Sequence, residues 1–331
     1  MRISDLTRLL PDADVRGDAG TDVSGATADS RAVTPGALYF CVPGGSADGH
    51  DFAADAVTRG AAALVVERWL DFEVPQIRVP AVRDAMGPLS AAVFDHPSRA
   101  MTVVGVTGTN GKTTSAFMIE KAFGTTGSQT GLIGTVEMHV AGEILPVLHT
   151  TPEAPDLQRT LARMHDAGAG AVAMEVSSHG LALGRVAGTW FACALFTNLT
   201  RDHLDFHRTM EDYESAKAML FTPAYAACGA VNADDAAGRR LLANATIPLV
   251  SFGLAEDADV RATDIESTRH GSRFVCVAGD ERVDVVVRIA GGYNVSNALG
   301  VLAVFRALAL PLAQAADGIA ALDGVPGRME G

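Results

Sequence analysis

The chain has little cysteine, no excess of positive charge and no long apolar run, and each shortage removes a class of function. Its four cysteines, Cys41, Cys193, Cys228 and Cys276, show no C-x-x-C spacing, and each stands among apolar or small residues. Buried free thiols are therefore expected rather than disulfides or a thiolate zinc site, which favours a reducing compartment. A formal net charge of −13 disfavours nonspecific binding to nucleic acid or to an anionic membrane. An acidic protein can still hold an anionic nucleotide locally, through a phosphate loop and a metal. No stretch supplies the roughly 18 uncharged apolar residues of a membrane span, and the first residues, Met-Arg-Ile-Ser-Asp-Leu-Thr, lack the apolar core of an export signal. The expectation is a cytoplasmic protein with neither nucleic acid nor membrane as partner. Internal repeats and low-complexity tracts are also missing. At 331 residues, with 48% hydrophobic and 20% charged, the composition is that of a globular chain long enough for about two domains.

What is present is organised around residues 101–117, Met-Thr-Val-Val-Gly-Val-Thr-Gly-Thr-Asn-Gly-Lys-Thr-Thr-Ser-Ala-Phe. Residues 101–106 are apolar and β-branched enough for a buried parallel strand, and 113–123 carries apolar residues at helical spacing. Between them, Gly108 and Gly111 let backbone N–H groups approach a polyphosphate, Lys112 can reach its outer oxygens, and Thr113 can offer a hydroxyl to Mg²⁺. The strict G-x-x-x-x-G-K-[ST] pattern fails at its first position, which is Val106, with Gly105 one residue early. The strand, turn and helix around it nonetheless predict a nucleotide-phosphate cradle.

On either side, strands alternate with helices, which predicts an α/β fold with mostly parallel sheets. In residues 1–99, strands at 36–42 and 62–66 and helices at 4–10, 50–59 and 82–94 predict a small α/β domain, with Pro97-Ser-Arg99 as a linker. From residue 100, strands at 101–106, 171–176, 191–197, 229–232 and 247–252 alternate with helices at about 113–124, 154–167, 209–221 and 234–243, a doubly wound sheet. Residues 273–277 and 282–288 flank Gly279-Asp280 as an appended β-hairpin. Apolar helices at 294–308 and 312–322 follow. The loops at Asp29-Ser-Arg31, Pro35-Gly36 and 43–49 lie at predicted strand ends, where they either bind a ligand or simply turn.

Four constellations carry candidate chemistry. Glu175 ends an apolar strand, where a carboxylate is costly unless it is salt-bridged or completes a Mg²⁺ shell opposite Thr113. Ser177-Ser-His-Gly180 follows directly; His179 alone reads as structural. Residues 196–207 hold Asn198, Arg201, Asp202, His203, Asp205 and His207, without the H-E-x-x-H of a zinc protease. Hard oxygen ligands beside a phosphate loop suggest Mg²⁺, with one histidine joining its shell and the other on the surface or in a loop. Within 210–221, Tyr213, Lys217 and Leu220 share one helical face, so Lys217 points inward and is either snorkelling or chemically used. In Gly291-Gly-Tyr-Asn-Val-Ser-Asn297, Asn294 or Asn297 caps a helix or reads a base edge.

Together these pieces resemble the Mur ligase family, and within it the ligases that add a diamino acid, meso-diaminopimelate or L-lysine, to UDP-N-acetylmuramoyl-L-alanyl-D-glutamate in peptidoglycan synthesis. The matching motifs are Thr107-Gly-Thr-Asn-Gly-Lys-Thr-Thr114, Thr150-Thr-Pro-Glu153, Met174-Glu-Val-Ser-Ser-His-Gly180, Thr197-Asn-Leu-Thr-Arg-Asp-His-Leu-Asp205, Tyr213-Glu-Ser-Ala-Lys-Ala-Met-Leu-Phe221, Tyr293-Asn-Val-Ser-Asn297 and Gly327-Arg-Met-Glu330. They run in family order across nearly the whole chain, and the family's own loop lacks the first glycine too.

The resemblance implies a UDP-binding N-terminal domain at 1–99, with Ser30, Gly45, Ser46 and Ala47 near the UDP end. It implies a central ATP-binding domain at 100–325. There Gly108, Thr109, Asn110, Gly111, Lys112, Thr113 and Thr114 would surround the ATP phosphates, and Asn294 and Arg328 would contact adenosine. Thr113 and Glu175 would hold one Mg²⁺, and His203 and Lys217 would serve a second, with Lys217 N6-carboxylated by CO₂. Thr150, Thr151, Ser177 and Arg185 would contact the UDP-MurNAc-dipeptide; Leu183 stands where some members have a glutamine. The implied reaction passes the γ-phosphate of ATP to the substrate carboxylate, and an amine then attacks the acyl-phosphate.

Residues 326–331 would begin a linker to a third, Rossmann-like domain that the sequence does not contain. Nucleotide and UDP-substrate binding with little ligation is the resulting expectation, unless a C-terminal domain or partner is supplied separately. The alternatives are a ligase with the same core in another pathway, such as a folylpoly-γ-glutamate synthetase, and a non-catalytic nucleotide-binding subunit.

Overall fold

The computed structural model describes residues 1–45, 47–125, 127–147 and 149–327. They form two compact units, one comprising Met1–Arg99, Pro152–Arg163 and Leu183–Thr189, the other Ala100–Thr151, Met164–Ala182 and the chain from Trp190 onward.

In the first unit the elements are α1 (Ile3–Thr7), β1 (Asp14–Arg16), β2 (Gly25–Thr27), β3 (Ala37–Phe40), α2 (Ala53–Thr58), β4 (Ala63–Val66), β5 (Gln76–Arg78) and α3 (Val82–Val93). The strands lie in the order β1-β5-β4-β3-β2, parallel except for β1. β3 and β4 are uninterrupted apolar runs because both faces of the sheet are covered. Alternate residues go to opposite sides. Leu38, Phe40, Ala63 and Val65 pack with Leu6, Met86 and Leu89, whereas Tyr39, Leu64 and Val66 pack with Ala53 and Ala56 of α2. β1, β2 and β5 escape sequence reading because three residues each are too few to display a period. The helix expected at 50–59 is a 3₁₀ turn, Gly49–Phe52, whose N-terminus Asp48 caps by accepting from His50 N, followed by α2.

The second unit contains β6 (Thr102–Thr107), α4 (Lys112–Gly124), β7 (Gln129–Ile133), β8 (Met138–Val140), β9 (Glu143–Leu145) and β10 (Ala169–Glu175); α5 (Ala154–Asp166), between β9 and β10 in the chain, belongs to the first unit as far as Arg163. There follow α6 (Ser178–Ala182), β11 (Phe191–Phe196), α7 (Met210–Ala218), β12 (Ala226–Asn232), α8 (Ala236–Asn244), β13 (Leu249–Gly253), β14 (Val260–Thr268), β15 (Gly271–Ala278), β16 (Glu281–Val287), α9 (Tyr293–Ala307) and α10 (Leu312–Ala320). Strand order is β16-β15-β14-β13-β12-β11-β6-β10-β7-β8-β9. Every pairing from β14 through to β7 is parallel, and the sheet is extended by antiparallel strands at both ends. The fold is thus α/β with a mostly parallel sheet.

β6 is central, and the chain leaves it for β7, returns to fill the gap with β10, then crosses to β11 on the other side. That reversal opens a crevice at the carboxyl ends of β6, β10 and β11, where open α/β sheets bind ligands. α9 fills the space beneath the sheet and is buried almost all round, with Phe305 stacked 4.9 Å from Phe123 of α4. The hairpin expected at 273–288 is real, as β15 and β16, but it is one part of a three-stranded antiparallel extension. Its first strand, β14, is largely exposed and polar, and a register shift between Thr263 and Glu266 interrupts its alternation. Among the described residues no helix is long and apolar enough to cross a membrane.

Because Phe305 is fully buried between α4 and the sheet, Phe305→Ala should destabilise the second unit by about 3–5 kcal/mol. Urea denaturation followed by circular dichroism measures this.

Candidate functional site

The turn between β6 and α4 is held open by its own glycines and braced from the next strand. Gly108 has φ +148° and Gly111 φ +85°; an added Cβ would run into Thr197 Oγ1 at the first and Asn297 Oδ1 at the second. Thr109 N donates to Asn198 O (2.9 Å) and Asn110 N to Asn198 Oδ1 (2.9 Å), while Thr197 Oγ1 donates to Asn110 O (2.6 Å). Asn232 Nδ2 secures Thr197 O in turn (2.7 Å). Asn198, counted in the sequence among possible chemical groups, is therefore a brace.

Beside the turn lies a cavity of ≈ 740 Å³ whose walls include Asn110, Gly111, Thr113, Thr114, Tyr293, Asn294 and Gly327. Asn294 does not cap α9: its Nδ2 donates to Ala290 O (2.8 Å) and its Oδ1 accepts from Asn297 (2.9 Å), so both buried amides are locked into the wall.

Two lysines converge on one carbonyl. Lys112 Nζ donates to Gly108 O (3.0 Å) and Thr109 O (2.9 Å), and Lys217 Nζ, from α7, donates to the same Gly108 O (2.8 Å). Lys217 is buried, with its nitrogen 4.4 Å from the centre of the Tyr213 ring. It does not snorkel. Burial first, and then the neighbouring Lys112 charge, pull its pKa down to about 6, against a weaker opposing pull from Asp202. A buried amine in that range is largely uncharged at neutral pH and so nucleophilic.

Glu175, the last residue of β10, is buried and accepts from Thr135 N (2.7 Å) and Thr135 Oγ1 (3.0 Å), in the turn after β7. Thr135 also reaches Thr150 Oγ1 (3.2 Å). Thr151 Oγ1 donates to Glu175 O (3.2 Å) and lies 3.1 Å from Ser177 Oγ, which accepts from Gly180 N at the start of α6. Thr150, Thr151, Glu175 and Ser177 thus form one polar lattice that also contains Thr135. Sequence reading missed Thr135 because Gln-Thr-Gly-Leu-Ile, the short glycine-bearing β7, shows no strand pattern.

His203 has φ +52°, a strained conformation for a residue with a side chain, and its ring meets those of His179 (4.9 Å between centroids) and Tyr213 (6.0 Å). Tyr213 OH in turn lies 3.2 Å from Thr109 Oγ1. His207, allowed in the sequence as a surface or loop residue, is buried 5.1 Å from the Tyr213 ring, and burial lowers its pKa. Among the described residues no group of three His, Cys, Asp or Glu could by itself hold a metal. The donors at hand, the Glu175 carboxylate and the Thr113 hydroxyl at the start of α4, suit Mg²⁺ that arrives with phosphates. That ion keeps water and phosphate oxygens rather than filling an all-protein cage.

In the first unit, Ser30 and Ala47 line a cavity of ≈ 690 Å³ together with Asp29, Arg31, Tyr39 and Phe52. Gly45 is in the same loop but not in the cavity wall. Arg185 pairs with Glu153 (2.9 Å), which also pairs with Arg83 (3.2 Å). Ser46 and Arg328 lie outside the described residues.

Residues 106–305 match the model of the Mur ligase middle domain, and residues 22–93 that of the Mur ligase family catalytic domain. The chain belongs to the Mur ligase family. This Mur ligase chain is 45% identical over 95% of its length to a UDP-N-acetylmuramoyl-L-alanyl-D-glutamate–2,6-diaminopimelate ligase of Streptomyces coelicolor, and 41% identical over its whole length to one of Geobacillus thermodenitrificans. It spans 63% of the first relative and 69% of the second. A solved structure of a ligase of the same name superposes on 99% of the chain with TM-score 0.85 at 28% identity, the chain covering 68% of it.

The lowered Lys217 pKa sets a sign. Between about 6 and 10.5 the unfolded chain carries a proton on this lysine that the folded chain lacks. The Lys217 contribution to stability should therefore rise with pH across that window by up to about 1.4 kcal/mol per unit. In CO₂-free buffer, the difference in urea midpoint between the wild type and Lys217→Met should change with pH with this slope.

Proposed function

We propose that this chain forms the nucleotide- and precursor-binding part of an ATP-dependent ligase that joins a diamino acid to UDP-MurNAc-L-Ala-D-Glu, with diaminopimelate as the amine named for its relatives. The convergence of Lys112 and Lys217 on the Gly108 carbonyl, next to the cavity walled by Asn294, carries the reading. Two basic groups beside a loop of backbone N–H groups support a reading in which the outer phosphates of a nucleotide would enter there. The 1–99 cavity with Ser30 and Ala47 would take the UDP end. Thr150, Thr151, Ser177 and Arg185 would face the dipeptide.

In this reading the residues do mostly electrostatic work. Lys112 leaves its backbone carbonyls for the phosphates of ATP, and Gly108 to Thr114 orient the γ-phosphate toward the substrate carboxylate. Phosphoryl transfer needs positioning and charge neutralisation more than covalent help. Mg²⁺, which Thr113 and Glu175 would hold with phosphate oxygens while His203 and Lys217 served a second ion, would supply neutralisation of the charge that accumulates. Thr135 fixes the rotamer of Glu175 in advance. Lys217, as the free amine, attacks the carbon of CO₂ and releases one proton to solvent, which leaves a carbamate whose oxygens can face a second cation. An ammonium has no lone pair and cannot ligate.

Calorimetric titration with Mg·ATP tests the phosphate loop: Lys112→Ala should weaken binding by about tenfold or more, the scale of a lost charged contact. Unchanged affinity would sink the proposal. Ligation assayed in the full-length protein should be abolished by Lys217→Ala and partly restored by added short carboxylic acids; full activity of the unrescued variant would refute the carbamate.

A further inference from the structure

A second set of ionisable groups lies away from the phosphates, where α4, the turn at 134–137 and β8 meet. His139 on β8 has Nδ1 2.6 Å from Glu120 Oε1 on α4 and Nε2 3.0 Å from Glu137 Oε2 in the turn. Ionised carboxylate oxygens only accept, so a ring hydrogen-bonded to two of them donates from both nitrogens, which is the imidazolium form. Both lone pairs being spent on protons, the group is an ion-pair clamp and not a metal site.

Apolar side chains are set against it on three sides. β7 sets Leu132 opposite His139, β9 sets Ile144, and Phe117 of α4 meets the ring edge-on at 5.7 Å. Glu120 is buried, and its Oε2 has no hydrogen-bond partner among the described residues, so its charge is compensated through His139. The turn is closed by Gly134 N donating to Glu137 O (3.2 Å), and its next residue is Thr135, which holds both oxygens of Glu175.

We propose that His139 is a positioning residue: its imidazolium ties the turn that orients Glu175 to Glu120, two turns along the helix that the phosphate loop opens. This rests on the reading of Glu175 as a ligand of nucleotide-borne Mg²⁺. A neutral ring can donate to only one of the two carboxylates, so deprotonation releases one side of the clamp. Glu120 foremost, and Glu137 after it, raise the ring's pKa against the opposing effect of burial. The clamp is therefore complete below the ordinary histidine range and is lost as pH rises through the raised value.

Titration of the chain with a fluorescent ATP analogue, in Mg²⁺ and in EDTA, at a series of pH values rising from the ordinary histidine range, tests this. In the wild type the gain in affinity on adding Mg²⁺ should shrink as pH rises. In His139→Gln and Glu137→Gln that gain should already be about three- to tenfold smaller at the lower pH and flat thereafter, a coupling of ordinary size. Affinity in EDTA should be unchanged. Titration of the nucleotide and of Lys217 is common to all three proteins and cancels in the comparison. Glu137→Gln, in the turn, carries the test if His139→Gln does not fold. Variants that keep the wild-type gain and its pH profile, or that lose affinity equally in EDTA, overturn the proposal. A wild type that binds no nucleotide at all would instead overturn the reading of the phosphate loop, and this inference with it.

Discussion

Everything at the site depends on one backbone oxygen, that of Gly108, accepting from two lysines at once. Two ammonium groups so close repel, and one of them, Lys217, is buried. The protein resolves the conflict by letting Lys217 give up its proton, at a cost to stability that rises toward acid pH. A site built only for stability would have a methionine there. That a lysine is kept is intelligible if its uncharged amine has a use, because burying a polar group without one is unfavourable.

The same oxygen is in place only because the turn is over-determined. Gly108 and Gly111 adopt conformations that side chains disfavour, and Thr197 and Asn198 hold the intervening backbone from the neighbouring strand. Register does the rest. Glu175 of β10 pairs beside Val106 of β6, and Phe196 of β11 beside Thr107, so all three strands deliver their polar ends at one level. The parallel order β11-β6-β10 is thus the device that turns three distant stretches of sequence into one surface, and β6 is its axis.

Much of this was legible beforehand, for different reasons. Strong periodic segments such as α4, α9, β10 and β11 announce themselves, and the glycines of 107–114 declare a turn that needs positive φ. Lys217 was placed correctly on an inward face by helical spacing, but spacing alone left open whether it snorkelled; only burial and the nearby Lys112 settle that it does not. Spacing reads Asn294 as a cap or a base reader; in the structure it is not the cap, and its amide closes on Ala290 and Asn297. The short strands β1, β2, β5 and β7 were invisible because sheet pairing, not local propensity, makes them strands. With β7 unseen, the turn after it was unseen too, and so were Thr135 and the clamp at His139.

By itself the sequence determined the α/β class, the phosphate turn and the list of polar groups at strand ends, because those follow from local periodicity and from backbone geometry that only glycine tolerates. Tertiary structure alone decided which of those groups meet: Lys217 with Lys112, Glu175 with Thr135, His139 with Glu120 and Glu137. Apart from His139 with Glu137, two residues away, such meetings are long-range, set by strand order and register, and they also fix the burial that shifts a proton. No local pattern carries that information.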